Sequence, residues 1–472
     1  MEHKGLKPSI DPPPLISQSI ALTFLEFGLS LSSIFVTPYF TRLGIASLVN
    51  SLIWLVPLIG IFLVSGLRKK YMYKDRHKSQ YRINIFLSLM SGMCLFGSLL
   101  FIFADSISEW YFESSVATNK SSRFYALILG ICGFILMQSG LSICSECITE
   151  LIVQSNLQES NLDLWIFRWK GLGRVAGFLL ASLDIFETYT LSLYYTVGDN
   201  LTFSYCFWLL LHLCLLCVLL PVINSFDYNF RYSDYSYDIP SIRLIWEAPF
   251  KAKCLFLSYF FSYASYILIS IYATSWMTLA LLSGAPQGAK FVVHRRDFDL
   301  GISWGACDML VLSIISLGFS GVYSKDFRWE KHVWGISNIL AGVCLSLCYY
   351  FDSDYYTFIF LPFCSLIFTT VSLSPSRLSS DFDKKFTKIC TLKDLPHRGS
   401  DCKGPGDVLH IPPYYITQWE KIIQWTSEMS KFISLCIIPL IFAIFPKFDD
   451  NRWALKTSAL WGLIGGFFAL FT

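Results

Sequence analysis

Apolar runs of roughly 20 residues, the length a helix needs to cross the hydrocarbon core of a bilayer, recur along the chain between short polar stretches. Roughly 12 such runs can be placed, with equal numbers on either side of a tyrosine- and aspartate-rich segment from Phe226 to Glu247. In the first half the spans are predicted over Leu15–Tyr39, Ser47–Leu67, Ile83–Ala104, Phe124–Val153, Leu164–Ile185 and Leu201–Ile223. The second half repeats the pattern over Cys254–Thr274, Gly301–Val322, Val333–Phe351, Tyr356–Leu373, Phe432–Phe445 and Trp453–Phe471. The eleventh run is short and contains Pro439, so it needs Ser427 to Lys431 to reach full length. The predicted fold class is an all-α membrane protein with two six-helix bundles, over residues 1–225 and 251–472. A linker, 226–250, joins the bundles, and a long loop, 376–428, lies within the second.

Composition agrees with a lipid solvent, because 54% of the residues are apolar, 15% are charged and the mean hydropathy is +0.51. Soluble domains carry about 25% charged residues. A net charge of +3, spread over loops, gives no continuous basic face for nucleic acid. The basic residues instead set orientation. Arg68, Lys69, Lys70, Lys74, Arg76, Lys78 and Arg82 crowd the loop between spans two and three, which is therefore expected on the cytoplasmic side. Strict alternation then puts both termini, the central linker, Lys325–Lys331 and the Ser376–Glu428 loop in the cytoplasm, with Lys290, Arg295 and Arg296 dissenting. The sequons at Asn119 and Asn200 fall in loops expected on the other side, of the plasma membrane or of an organelle membrane. Glu2, Lys4 and Lys7 lead through Pro12-Pro13-Pro14 into a first span too long for a signal-peptide core, so that span is expected to be retained.

Most of the 15 cysteines lie inside spans, for instance Cys94, Cys132, Cys144, Cys214 and Cys217, where a thiol acts as a small hydrophobe and not as part of a disulfide framework. Cys390, His397, Cys402 and His410 share the last long loop, but their spacing matches no common zinc site, and Gly404-Pro405-Gly406 and Pro412-Pro413 mark an irregular connection. No metal and no cofactor is expected. The chain has no phosphate-binding glycine loop, no GxSxG elbow and no HExxH helix, so it carries no sign of an enzyme or of ATP drive.

Ionisable residues inside spans are the most informative local features, since a charge at the bilayer centre costs about 2.5–3.5 kcal/mol even on lenient scales. Glu26 lies near the middle of span one, Glu146 and Glu150 in span four, Arg168, Lys170 and Arg174 along span five, and Asp308 in span eight. Glu146 and Glu150 share a helix face that Gln138 and Ser142 extend toward the membrane centre. Span five runs back antiparallel, so Arg168 reaches the depth of Glu150 and Arg174 that of Glu146. Such pairs serve equally as locks between adjacent helices or as substrate contacts. Glu26 has no charged neighbour in its own span and needs a partner elsewhere, or protonation, which makes it a candidate proton carrier.

Gly173 and Gly177 form a small-xxx-small pair beside Arg174, and Gly465-Gly466 thin the last span, both suited to close helix packing. Aromatic residues make up 17% of the chain. Many suit interfacial anchoring, while Trp54, Tyr263, Tyr266, Tyr272 and Trp276 sit in or at the ends of spans able to border a central cavity.

The stretch Glu26-Phe27, then Val36-Thr37-Pro38-Tyr39, Leu43-Gly44-Ile45, Ile53-Trp54-Leu55 and Pro57 resembles the first two helices of the sucrose–proton symporters and their animal relatives, of the glycoside-pentoside-hexuronide type, in the major facilitator superfamily. Gly173-Arg174-Val175-Ala176-Gly177-Phe178 is similar to the family's Gly-Asn-x-x-Gly-Tyr in helix five. Ser275-Trp276-Met277 and Gly301-Ile302-Ser303 are similar to its Asp-Trp/Phe-Met and Gly-Val-Arg motifs around helices seven and eight. Departures accompany these matches. Asp75-Arg76 of the superfamily's basic-loop motif is present without its glycines, and Ser145 stands where the helix-four pattern has arginine, although Glu150-Leu151 keeps the acid. Ser275 and Ser303 replace an acidic and a basic residue, and Arg174 stands where the family has a small or amide side chain, so that it can restore the missing positive charge.

The resemblance implies a monomeric secondary transporter that carries a small solute, a sugar by family likeness, together with protons by alternating access. Glu26, Glu146, Glu150 and Asp308 are then the proton-coupling candidates, and Arg168, Arg174, Gln138, Trp54 and Trp276 the candidates for substrate contact or charge pairing. The lost family charges leave two alternatives: a receptor or scaffold that no longer transports, and a uniporter of another solute.

Overall fold

The computed structural model describes residues 15–43, 45, 49–60, 79–113, 119–155, 162–182, 212–213, 215–216, 219, 250–277, 292–322, 329–351, 361–373, 414–444 and 452–472. Apart from short turns, these residues are helical. In the first half they form α1 (Leu15–Arg42), α2 (Val49–Gly60), α3 (Ser79–Ile102), α4 (Ala104–Glu113), α5 (Asn119–Ser155) and α6 (Leu162–Ser182). The second half comprises α7 (Phe250–Trp276), α8 (Val292–Val322), α9 (Glu330–Phe351), a 3-10 turn at Leu361–Cys364 leading into α10 (365–373), α11 (Tyr414–Ile444) and α12 (Arg452–Ala469). Six of these helices are long and apolar enough to cross a membrane, among the described residues. The central linker, most of the basic 68–82 loop, residues 376–413 with their cysteines and histidines, Asn200 and the Glu150 side chain lie outside the description.

α11 begins at Tyr414, inside the stretch that the sequence pattern gives to a loop. Its first turns carry Gln418, Glu420, Lys421 and Gln424, too polar for an apolar run, and the helix continues through Pro439. The described part of the 376–428 segment is thus helical from 414 onward.

Helix directions follow the alternation expected of successive crossings. α1 and α6 run parallel, since Trp165 Nε1 donates to Ser19 Oγ at 2.8 Å and Thr23 Oγ1 donates to the Trp169 carbonyl at 3.0 Å, the same offset along the chain. α7 and α12 run antiparallel, fastened by Ser258 Oγ to the Gly465 carbonyl at 2.8 Å and by Ser265 with Ser458 at 3.0 Å. α1 packs against both α5 and α6, and in the second half α12 packs against both α7 and α9. The halves meet where α1 lies on α7 and α6 lies on α8. Lipid supplies no hydrophobic drive for helix association, so close packing and hydroxyl bonds of this kind hold such a bundle together.

The Thr37-Pro38 step shows how one motif works locally. Pro38 lacks an N–H, which loosens the helix ladder there. Just before it, the Thr37 carbonyl accepts from Thr41 Oγ1 at 2.8 Å and from Asn50 Nδ2 at 3.1 Å, and Thr37 Oγ1 accepts from Trp54 Nε1 at 3.0 Å. Trp54 also meets Phe134 edge-on at 5.0 Å, so it binds α1, α2 and α5 together.

Candidate functional site

Small residues on α6 bring the charges together. A Cβ on Gly173 would overlap the Thr23 carbonyl and approach Glu26 Cβ at 3.0 Å, while one on Gly177 would meet Ser30 Cβ at 2.9 Å. Only glycine lets α6 lie this close to α1, and the contact seats Arg174, the residue after Gly173, opposite Glu26.

Arg174 Nε stands 3.5 Å from Glu26 Oε1, and both side chains are largely buried, at 9% and 15% exposure. The contact is an ion pair without a hydrogen bond, since Nε finds no acceptor in bonding geometry. The guanidinium also lies over the Phe167 ring, 5.3 Å from its centroid. Sequence spacing allowed Arg174 to pair with Glu146. In the structure α1 sits between α5 and α6, and Glu26 takes that place.

One turn before Arg174, Lys170 shares the field, attracted by Glu26 and Glu146 and repelled by Arg174 and by Lys431 of α11. Tyr266 of α7 lies in the field of Arg174, Glu26 and Lys431. Charges from α1, α5 and α6 in the first half therefore face a tyrosine and a lysine from the second. Glu26, Glu146, Lys170, Tyr266 and Lys431 are each half-buried, and the charges of the first half act on Tyr266 while Lys431 of the second acts on Lys170. Lys170 was singled out in sequence only as a charge within span five, and Lys431 only as a residue that lengthens the short run beginning at Phe432; neither was assigned to the site.

Contacts between the halves lie on either side of this cluster. At the end that the charge bias assigns to the outside, the Tyr272 hydroxyl donates to Ser51 Oγ at 2.5 Å, joining α7 to α2. At the other end Arg168 Nη2 donates to the Ser320 carbonyl of α8 at 3.2 Å. Leu164 and Phe167 of α6 meet Leu373 of α10 in a small separate apolar cluster beside it. Arg168 thus touches the opposite half.

The remaining candidates fall elsewhere. Gln138 accepts a hydrogen bond from Ser32 Oγ at 2.9 Å, tying α1 to α5. Trp54 serves the α1–α2 junction described above. Trp276 is 1% exposed at the end of α7, and its indole nitrogen is buried without a hydrogen-bond partner. Asp308 is also 1% exposed, and neither carboxylate oxygen has a hydrogen-bond partner. Its electrostatic neighbours are the thiols Cys307, Cys348 and Cys364 of the second half. No group of three or more metal-ligating side chains occurs among the described residues.

No family model matches the chain. A general alpha-glucoside permease of Schizosaccharomyces pombe is 24% identical over 320 residues, covering 64% of this chain and 54% of its own length. The chain thus spans about half the length of that curated relative. Among solved structures, the major facilitator superfamily transporter FucP in its outward conformation matches with a TM-score of 0.56 at 10% identity, over 97% of both chains. A variant of the nucleoside transporter NupG matches with a TM-score of 0.58 at 11% identity, over 96% of this chain and 98% of its own. The chain is a multi-pass integral membrane protein with the two-bundle, all-helical fold of these major facilitator superfamily transporters, and in sequence it is similar to an alpha-glucoside permease.

Proposed function

We propose that this protein is a secondary transporter that moves a sugar together with protons by alternating access, with the Glu26–Arg174 pair at its centre. The observation that carries the reading is the position of that pair: a carboxylate within an apolar span and a guanidinium on the helix packed against it, where the halves meet. At about 4 Å and an effective dielectric near 20, opposite charges attract by about 4 kcal/mol, while taking each from water costs several kcal/mol. The two effects roughly cancel, so stability is a poor reason to keep the pair. Exchange of partners is a better one, and Lys170 and Glu146 stand ready as alternatives for Glu26 and Arg174.

In this scheme a proton arriving on Glu26 releases Arg174, which turns to Glu146 or to a solute hydroxyl. The change alters the relative stability of the two arrangements of the halves, as any ligand that binds one state better must. The contacts at either end are then the gates: Tyr272 with Ser51 at one, and Arg168 with Ser320 beside Phe167 and Leu373 at the other. A sugar is the favoured solute through likeness to the alpha-glucoside permease, and proton coupling is favoured by the carboxylate at the centre and by the fold shared with the fucose:proton symporter FucP of E. coli. Both termini are placed in the cytoplasm by the charge bias.

Uptake of a panel of glucosides into proteoliposomes, with and without an imposed pH gradient, tests the reading. Gradient-driven accumulation is expected. Gradient-independent flux would indicate a uniporter, and no flux of any solute a scaffold.

A further inference from the structure

The charged cluster occupies the first half, but a solute carried by alternating access must touch both halves, because it has to favour one arrangement of them over the other. On α7, Tyr263 and Tyr266 lie three residues apart and share a helix face. Their rings meet at 5.6 Å with a tilt of 57°. Tyr266 is braced from behind by Phe368, edge-on at 4.5 Å. Lys431 of α11 places its ammonium 5.6 Å from the centre of the Tyr263 ring. The register that brings it there is set one residue earlier, where Ser430 Oγ donates to the Phe260 carbonyl of α7 at 2.5 Å.

All three side chains keep part of their surface accessible. Tyr266 feels the charges of Glu26 and Arg174, and Lys431 acts on Lys170, so both lie within electrostatic reach of the first half across the junction. The arrangement is therefore an aromatic pair with a cation at its edge, within electrostatic reach of the charged residues of the first half. Aromatic faces attract C–H-rich surfaces and present them with geometric preference. A pyranose has such a face, with hydroxyls around its rim that accept from an ammonium, which has three donors and no acceptor.

We infer that Tyr263, Tyr266 and Lys431 form the ring-binding subsite of the transport site, the tyrosines taking the apolar face of a glucoside ring and Lys431 donating to its hydroxyls. The assignment rests on the transport reading above and divides the labour: recognition in the second half, coupling in the first. Tyr266 and Lys431 thereby determine affinity, and Glu26 determines the response to pH.

Initial-rate uptake of maltose by proteoliposomes, across a range of pH, separates these roles. Tyr266→Leu and Lys431→Gln are expected to raise KM at least about tenfold while leaving kcat within about threefold and the pH profile unmoved. Tyr266→Phe, which keeps the ring, should stay within about twofold of the parent in KM. Tyr263→Leu provides a second ring deletion if Tyr266→Leu fails to elute as a monodisperse protein. An unchanged KM in both ring deletions and in Lys431→Gln would overturn the assignment, as would a shifted pH profile in any of them. Absence of saturable flux of maltose and of every other glucoside of the panel in the unmodified protein would overturn the transport reading itself, a result distinct from either.

Discussion

Glu26 and Asp308 are both carboxylates set in the middle of apolar helices, and their surroundings could hardly differ more. Glu26 is partly exposed at the junction of the halves and lies 3.5 Å from a guanidinium, with a lysine in its field. Asp308 is enclosed within the second half, among thiols, with no hydrogen bond to either oxygen. A carboxylate with a cation beside it has a partner to exchange, whereas neither oxygen of Asp308 has a hydrogen-bonded one. Two carboxylates on comparable helices thus differ in position relative to the junction, and on that difference rests the proposal that Glu26 is the coupling residue.

The largest effects are expected from breaking the pair on the arginine side. Arg174→Ala leaves Glu26 buried without its cation, a type of change that costs about 3–5 kcal/mol, and should abolish uptake. Arg174→Lys keeps the charge but loses the planar group that spans Glu26 and the Phe167 ring, so uptake should remain below about a tenth of the parent. Near-normal uptake in Arg174→Lys would show that a point charge suffices.

Next in size is the packing that creates the pair. Gly173→Ala adds a methyl group against the Thr23 carbonyl and Glu26 Cβ, which forces α6 away from α1. Overpacking of this kind costs about 1–3 kcal/mol. Thermal unfolding in detergent should fall by several degrees, with uptake reduced about tenfold or more. Ala176→Gly, a change of similar size at an exposed position on the same helix, should leave uptake within about twofold.

The smallest effect is expected at the other carboxylate. Asp308→Asn removes an ionisable group that has no hydrogen-bond partner and keeps the shape, so uptake should stay within about twofold and its pH dependence should not move. The melting temperature is expected to hold or to rise by about 2 °C. Loss of pH dependence in Asp308→Asn would move the coupling site into the second half and reverse the comparison.

Much of the architecture was legible in the chain, because a helix that crosses lipid must satisfy its own backbone and therefore declares itself as a long apolar run. The glycine pair beside Arg174 was legible too, as a signal of close packing. Which acid Arg174 meets was not, since the answer depends on α1 lying between α5 and α6, a fact of tertiary packing that spacing within one helix cannot reveal. Asp308 looked like Glu26 for the same reason: residue type is written in the sequence, and surroundings are not. Lys431 was hidden at the polar edge of an apolar run, where only the contact of α11 with α7 shows that it faces Tyr263. The Thr37-Pro38 and Trp54 motifs were visible as residues, and the structure supplies their common task, which is to fasten α1 to α2.

The central claim is that Glu26 couples protons to solute movement, and the most direct test compares driven and exchange transport in Glu26→Gln. The unmodified protein should accumulate glucoside in proteoliposomes when the outside is made acidic and lose accumulation when the gradient is collapsed. Glu26→Gln should fail to accumulate under any gradient yet retain glucoside exchange between equal pools. Gradient-driven accumulation in Glu26→Gln equal to that of the unmodified protein would contradict the account.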